Sequence, residues 1–162
     1  MNDDIMIRNA REEERFVLGD LALRSKAFWG YSPEFMEACS DELSLSHEAI
    51  TNPDRQYVVA ELEGEIVGYY ALERLSATEY ELEALFVEPH RIGQGVGRKL
   101  IEHAKGFARR EGAQFLLIQS DPNAVDFYLA AGGVRVGERE SDSIPGRYLP
   151  EIRISLVREN AT

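Results

Sequence analysis

Val87-Glu88-Pro89-His90-Arg91-Ile92-Gly93-Gln94-Gly95-Val96-Gly97-Arg98-Lys99-Leu100 decides how the rest of the chain is read. An apolar strand ending Leu85-Phe86-Val87 stops at a proline, glycines follow at alternate positions, and an amphipathic helix begins. Glycine lacks a Cβ, so the chain can turn tightly there and a ligand can approach the backbone. The first amides of a helix have no intrahelical partner and carry the positive end of its dipole, which makes such a turn a seat for phosphate. Neither the dinucleotide fingerprint nor the Walker pattern is present, and the turn does not follow the first strand, which argues against both of those sites. The other reading is a plain strand-to-helix turn.

Upstream, residues 57–62 and 66–73 read as a hairpin about Glu63-Gly64-Glu65, and residues 79–87 as a third long strand. Downstream come a helix over 95–111, a buried strand over 115–119, a short helix over 123–131 closed by Gly132-Gly133, and strands over 134–139 and 150–157. At the start, a short strand over 5–8 precedes a helix over 10–28, with Phe16, Val17, Ala22, Leu23 and Ala27 inward and the charged residues 11–15 as a solvated first turn. Trp29 to Pro33 breaks that helix, and helices over 33–40 and 46–52 follow. The fold class is α/β (α+β): one domain over 1–162, with a mixed central sheet of about six to seven strands flanked by about four helices.

Composition narrows the partners. The 162 residues are 44% hydrophobic, carry a net charge of −11 and include one cysteine, Cys39. So acidic a chain suits neither nucleic acid nor an anionic membrane, and it is compatible with a cationic small molecule. One cysteine allows no internal disulfide, and residues 1–4 lack the basic and apolar regions of a leader, so a cytoplasmic location is expected. His47, His90 and His103 show no metal-ligand spacing, so no metal is expected, and Cys39 reads as a small buried hydrophobe.

Three landmarks in order carry a resemblance. They are the strand Glu81-Leu82-Glu83-Ala84-Leu85-Phe86-Val87 with its proline, the glycine turn at Gly93, Gly95 and Gly97, and Asn123-Ala124 with Phe127-Tyr128 further on. Together they resemble the GNAT superfamily of acyl-CoA-dependent N-acyltransferases. Two positions depart from its pattern: Ile92 stands where Gln or Arg is usual, and Gly132-Gly133-Val134 where Gly-Phe often ends the second segment.

The resemblance implies a sheet splayed at the cofactor site and an acetyl-CoA donor. Its pyrophosphate would lie on the amides of Gln94, Gly95, Val96, Gly97 and Arg98, flanked by Ile92, Gly93 and Lys99. Its arm would run along Leu85, Phe86 and Val87, near Asn123 and Phe127. Tyr128 matches the general acid, and Glu81 and Glu83 match positions at which relatives place a base. Independently of the family, an amine acceptor has a pKa of about 10 and must lose a proton before attack, which a carboxylate can accept. Glu81 and Glu83 have the same parity on their strand and so share a face; the alternative is a pair of exposed strand carboxylates. Asn123 is expected to cap its helix.

For the acceptor, Trp29 and Tyr31 form either an aromatic wall or a hydrophobic plug. Arg147, near Tyr148, either binds a substrate carboxylate or pairs with an acidic side chain. The expectation is an N-acetyltransferase acting on a small primary amine through a tetrahedral intermediate. A protein acetyltransferase and a non-catalytic CoA-binding module are the alternatives, and a homodimer is left open.

Overall fold

The computed structural model describes residues 4–157. Residues 1–3, part of the stretch read for a leader, lie outside the described residues. Seven strands form one mixed sheet: β1 (Met6–Asn9), β2 (Arg55–Leu62), β3 (Glu65–Arg74), β4 (Glu79–Val87), β5 (Phe115–Gln119), β6 (Gly133–Glu140) and β7 (Tyr148–Ser155), in the order β1-β2-β3-β4-β5-β7-β6. Only β4 and β5 are parallel, joined by the crossover helix α4 (Val96–Arg110). The other pairs are antiparallel. Helices α1 (Arg15–Ala27), α2 (Pro33–Leu43) and α3 (His47–Thr51) come before β2, and α5 (Val125–Ala130) follows β5.

Each face of the sheet has its own core. On one face, Val96, Leu100, Ile101, Ala104 and Ala108 of α4 pack on Val58, Tyr70, Leu72, Leu82 and Leu116. On the other, Leu18, Leu21 and Ala22 of α1 and Cys39 and Leu43 of α2 pack on Tyr57, Val59, Tyr69 and Ala71. Alternate strand residues feed the two cores because side chains alternate faces.

The first helix corrects its sequence reading. It begins at Arg15 after a single 3-10 turn (Glu12–Glu14), and its inward stripe is Leu18, Leu21 and Ala22 at i, i+3, i+4 spacing. Phe16 and Val17 are exposed, with the Arg15 guanidinium 4.2 Å over the Phe16 ring. The charge run is not simply solvated either. Glu14 is buried, accepts from Arg8 at 2.8 and 3.0 Å and from the Arg11 amide at 2.7 Å, and its pKa falls to about 2. The Arg8 hydrogen bonds are the main cause.

Two irregularities position the site. The hairpin register starts at Leu62 opposite Glu65 but shifts by one residue next to Ala60, which brings Arg55 opposite Glu73. In β4, Leu72 opposes Leu82 and Ala71 opposes Ala84, so Glu83 is the extra residue of a β-bulge. The apolar parity changes there. Leu82, Leu85 and Val87 belong to the α4 core, whereas Ala84 and Phe86 belong to the α1–α2 core.

Candidate active site

The pairing of β4 with β5 ends at Leu82 opposite Ile118. Beyond it β4 continues to Val87, held only by β3 on its other side, while Gln119 pairs with Glu151 of β7. One edge of β4 is thus left without a strand partner beside a cavity of about 640 Å³. Residues 82–87, 91–93 and 95–98 line it, with Ile118 and Gln119 from β5, Tyr128 from α5, and Lys26, Trp29, Asp121 and Arg147 at another end.

The glycine turn presents backbone. Gly93 and Gly95 both have φ of 87°, in the left-handed region open to glycine. The first i→i−4 bond of α4 is Lys99 N–H to Gly95 O at 3.1 Å, so the amides of Gly95, Val96, Gly97 and Arg98 precede the hydrogen-bond ladder. Gln94 differs: its amide donates to Arg91 O at 3.3 Å and its side chain to His90 O at 3.3 Å, so it closes the turn. Gly97 serves packing as well, since a Cβ there would stand 3.3 Å from the Phe127 ring and 3.6 Å from Val87. Ile92 is exposed on the lining, and Lys99 does not line the cavity. Arg91 Nε is buried with no hydrogen-bond partner among the described residues. A buried unpaired donor beside free amides fits a polyanionic ligand such as the CoA diphosphate.

Glu83 and Glu81 come together with a third carboxylate, Glu73, one oxygen from each lying within 4.8 Å of the others. Arg55 Nε donates to Glu73 at 3.2 Å, and Arg55 Nη2 stands 3.6 Å from Glu83. Gln119 Nε2 donates to Glu81 at 3.1 Å. Burial raises the pKa of both Glu81 and Glu83. For Glu83, the carboxylates of Glu73 and Glu81 add to burial against the opposing pull of Arg55, and the pKa is pushed up to about 7. Glu83 lines the cavity and Glu81 does not.

Tyr128 is 6% exposed and lines the cavity, with Phe127 edge-on at 5.1 Å. Burial raises its pKa, so its O–H persists through neutral pH. Asn123 does not cap α5. Asp121 takes the capping role by accepting from the Asn123 amide at 2.9 Å, while Asn123 Nδ2 donates to Asp121 at 2.9 Å and to Tyr31 OH at 3.0 Å. Proline at 122 explains the displacement: it starts the turn one residue early and leaves Asp121 at its N-cap.

Trp29 lies half exposed on the lining, edge-on to Phe28 at 5.4 Å. Tyr31 stacks on Phe35 at 4.1 Å and donates to Asp121 at 2.9 Å. Arg147 reaches Tyr31 OH at 3.0 Å, and Tyr148 is exposed on β7, outside the lining. Sequence reasoning missed Glu73, Arg55, Gln119, Lys26 and Asp121, none of which has a local signal, whereas Arg91, Arg98 and Lys99 are legible beside the glycine turn as local positive charge in an acidic chain. His103 takes up with Tyr70 OH at 2.7 Å and Cys39 is buried. No helix among the described residues is long and apolar enough to cross a membrane.

Comparison with known proteins identifies a family and a fold. A family model described as Acetyltransferase (GNAT) family matches residues 21–132. The chain is 36% identical over 94 residues to the N-alpha-acetyltransferase RimI of Mycobacterium tuberculosis, covering 56% of this chain and 59% of that protein. It is 33% identical over 135 residues to a 5-NmdU N-acetyltransferase of a Pseudomonas phage, covering 83% of this chain and 90% of the relative. A Mycobacterium leprae protein matches at 34% identity over 79% of this chain, which spans only 37% of that relative. Among solved structures, the PaiA N-acetyltransferase of Thermoplasma acidophilum in complex with coenzyme A superposes with a TM-score of 0.76 at 19% identity, over 93% of this chain and 98% of that one. At that identity the likeness concerns the fold.

Proposed function

This chain belongs to the acetyltransferase (GNAT) family, and from that premise we propose that it transfers an acetyl group from acetyl-CoA to the primary amine of a small molecule by direct attack. The observation that carries the reading is the parting of β4 from β5 after Leu82, at the residue where a bulge brings Glu83 to the cavity that Tyr128 also lines.

The amides of Gly95, Val96, Gly97 and Arg98, with Arg91, hold the donor's diphosphate, and the unpartnered edge of β4 at Leu85, Phe86 and Val87 holds its arm as an added strand would be held. When bound, the donor supplies the activated acyl group. Backbone donors on that edge stabilise negative charge on the carbonyl oxygen.

Glu83 is the base. An amine of pKa about 10 arrives as an ammonium, and a carboxylate whose pKa lies near 7 is matched to take its proton through water. Glu73 and Glu81 keep the proton affinity of Glu83 high, while Arg55 limits it. Tyr128 donates its O–H to the departing sulfur, whose thiol has a pKa of about 8.5, and recovers a proton from the acetylated nitrogen, which sheds its second one as the tetrahedral intermediate collapses, so that the products are a neutral amide and a thiol. Burial disfavours a phenolate at that position, so the hydrogen bond precedes the transfer.

Incubation with acetyl-CoA and a panel of amines, followed by thiol release and product mass, tests the reading. Acetylated small amines are the expected outcome. Tight CoA binding with no thiol release from any amine identifies a non-catalytic binding module. Acetylation confined to protein in a lysate points instead to a peptide amine, the reading favoured by the likeness to RimI.

A further inference from the structure

We propose that the amine acceptor also carries a carboxylate, bound by Arg147 with Lys26, so that the substrate is an amino-acid-like zwitterion. This rests on the acetyl-transfer reading above. The acceptor end of the cavity is lined by Lys26 from the last turn of α1, Asp121 after β5 and Arg147 before β7, and Tyr31, just before α2, and Phe35, in its first turn, support them from outside the lining. The side chains of Lys26, Asp121 and Arg147 are only 13%, 17% and 17% exposed.

Two poorly hydrated cations face one carboxylate, and the second cation is costly unless something else neutralises it. Asp121 is already served. It accepts from Lys26 Nζ at 2.9 Å, Tyr31 OH at 2.9 Å, and the Asn123 amide and Nδ2, each at 2.9 Å. Arg147 Nη2 reaches it only at 3.5 Å. The other contact of Arg147 is Tyr31 OH at 3.0 Å, and no described acceptor meets its Nε or Nη1, neither of which is sealed from solvent. The guanidinium is held from the side by Phe35, 4.8 Å to the ring centroid, and by Tyr31 at 5.4 Å. It is therefore pre-oriented with donors to spare, which suits a carboxylate.

Glu42 also lines the cavity, but it is exposed, where water screens it, and its carboxylate accepts from Ser143. Elsewhere in the cavity stands Glu83, the group that receives the amine. One cavity thus offers a carboxylate for an ammonium and a guanidinium–ammonium pair for an anion. In a chain of net charge −11, the cationic pair is a local exception.

The experiment uses the 162-residue chain with matched acceptors: phenylalanine, phenylalaninamide and phenethylamine; lysine and cadaverine; histidine and histamine; and phosphoethanolamine. The carboxylate members are expected to exceed their amide or decarboxylated partners in kcat/KM by about 10- to 100-fold, mostly through KM. Arg147→Gln should collapse that ratio at least about tenfold, Arg147→Lys should recover part of it, and Lys26→Gln, an independent variant, should lower it less. Calorimetric CoA binding shows that each variant is folded. Equal turnover of the amides, an unchanged ratio in Arg147→Gln, or preference for the phosphate-bearing amine overturns the carboxylate assignment alone. If no amine of any class is acetylated, the acetyl-transfer reading falls and this inference falls with it.

Discussion

The two ends of the cavity are built in opposite ways. The glycine-turn end is backbone: residues 93–98 are contiguous, two glycines sit at φ 87°, and the groups proposed to bind the donor are amides that the start of a helix leaves free. The acceptor end is side chain. Lys26 and Tyr31, Asp121, and Arg147 come from three distant stretches of the chain and meet only after folding. A backbone seat recognises a group that every donor molecule shares, so it tolerates little change in conformation and much change in neighbouring side chains. A side-chain network recognises what differs between acceptors, so single substitutions can retune it. The proposed chemistry falls to Glu83, at the bulge, and to Tyr128, which line the same cavity.

The contrast can be broken by variants, beginning with the largest effect. Tyr128→Phe should lower kcat by roughly 10²–10⁴ while leaving CoA affinity near wild type, measured under conditions where chemistry limits turnover. Unchanged kcat would remove Tyr128 from the proton path. Gly95→Val forces a β-branched residue to φ 87° and should weaken CoA binding by about 100-fold, whereas Ile92→Gln should change it by less than about threefold. Titration calorimetry reads both, and the reverse order would mean that side chains, not amides, carry the grip.

Glu83 gives the pH test. A base with pKa about 7 is active only when deprotonated, so kcat/KM should rise through pH 7 and level off above it. Glu83→Gln should abolish that limb, and Glu73→Gln, by removing a like charge, should move it to lower pH. A limb that stays in place in Glu83→Gln belongs to another group.

The smallest effect lies far from the cavity. Glu14 has its folded-state pKa depressed to about 2 from an ordinary 4.5, so the stability it adds is complete above the ordinary value and is lost as pH falls toward about 2. Glu14→Gln should cost roughly 1–3 kcal/mol at neutral pH and flatten the acid limb of the stability curve, without altering CoA affinity. Thermal melts between pH 7 and pH 2 measure it.

Much of the fold was legible because strands and helices announce themselves locally. Residues 79–87 and 115–119 were read with the same bounds that the structure shows. The first helix was misread because its phase depends on where it starts, and a 3-10 turn delayed that start to Arg15. At the site, Glu81, Glu83 and Tyr128 were named from sequence, but Glu73 and Arg55 were not. A hairpin counted outward from Glu63-Gly64 without a bulge puts Arg55 opposite Leu72. The shift next to Ala60 moves it to Glu73, and nothing in the local pattern marks that shift.

By itself, then, the sequence determined the order of the elements, the glycine turn and the family, because each depends on residues adjacent in the chain, whose backbone preferences are local. Only the tertiary structure decided that β4 leaves β5 after Leu82, that Glu83 lines the cavity while Glu81 does not, and that Lys26, Asp121 and Arg147 come together on its lining. Register, burial and charge pairing belong to residues that only folding brings together, and they set both the proton affinity of Glu83 and the character of the acceptor end.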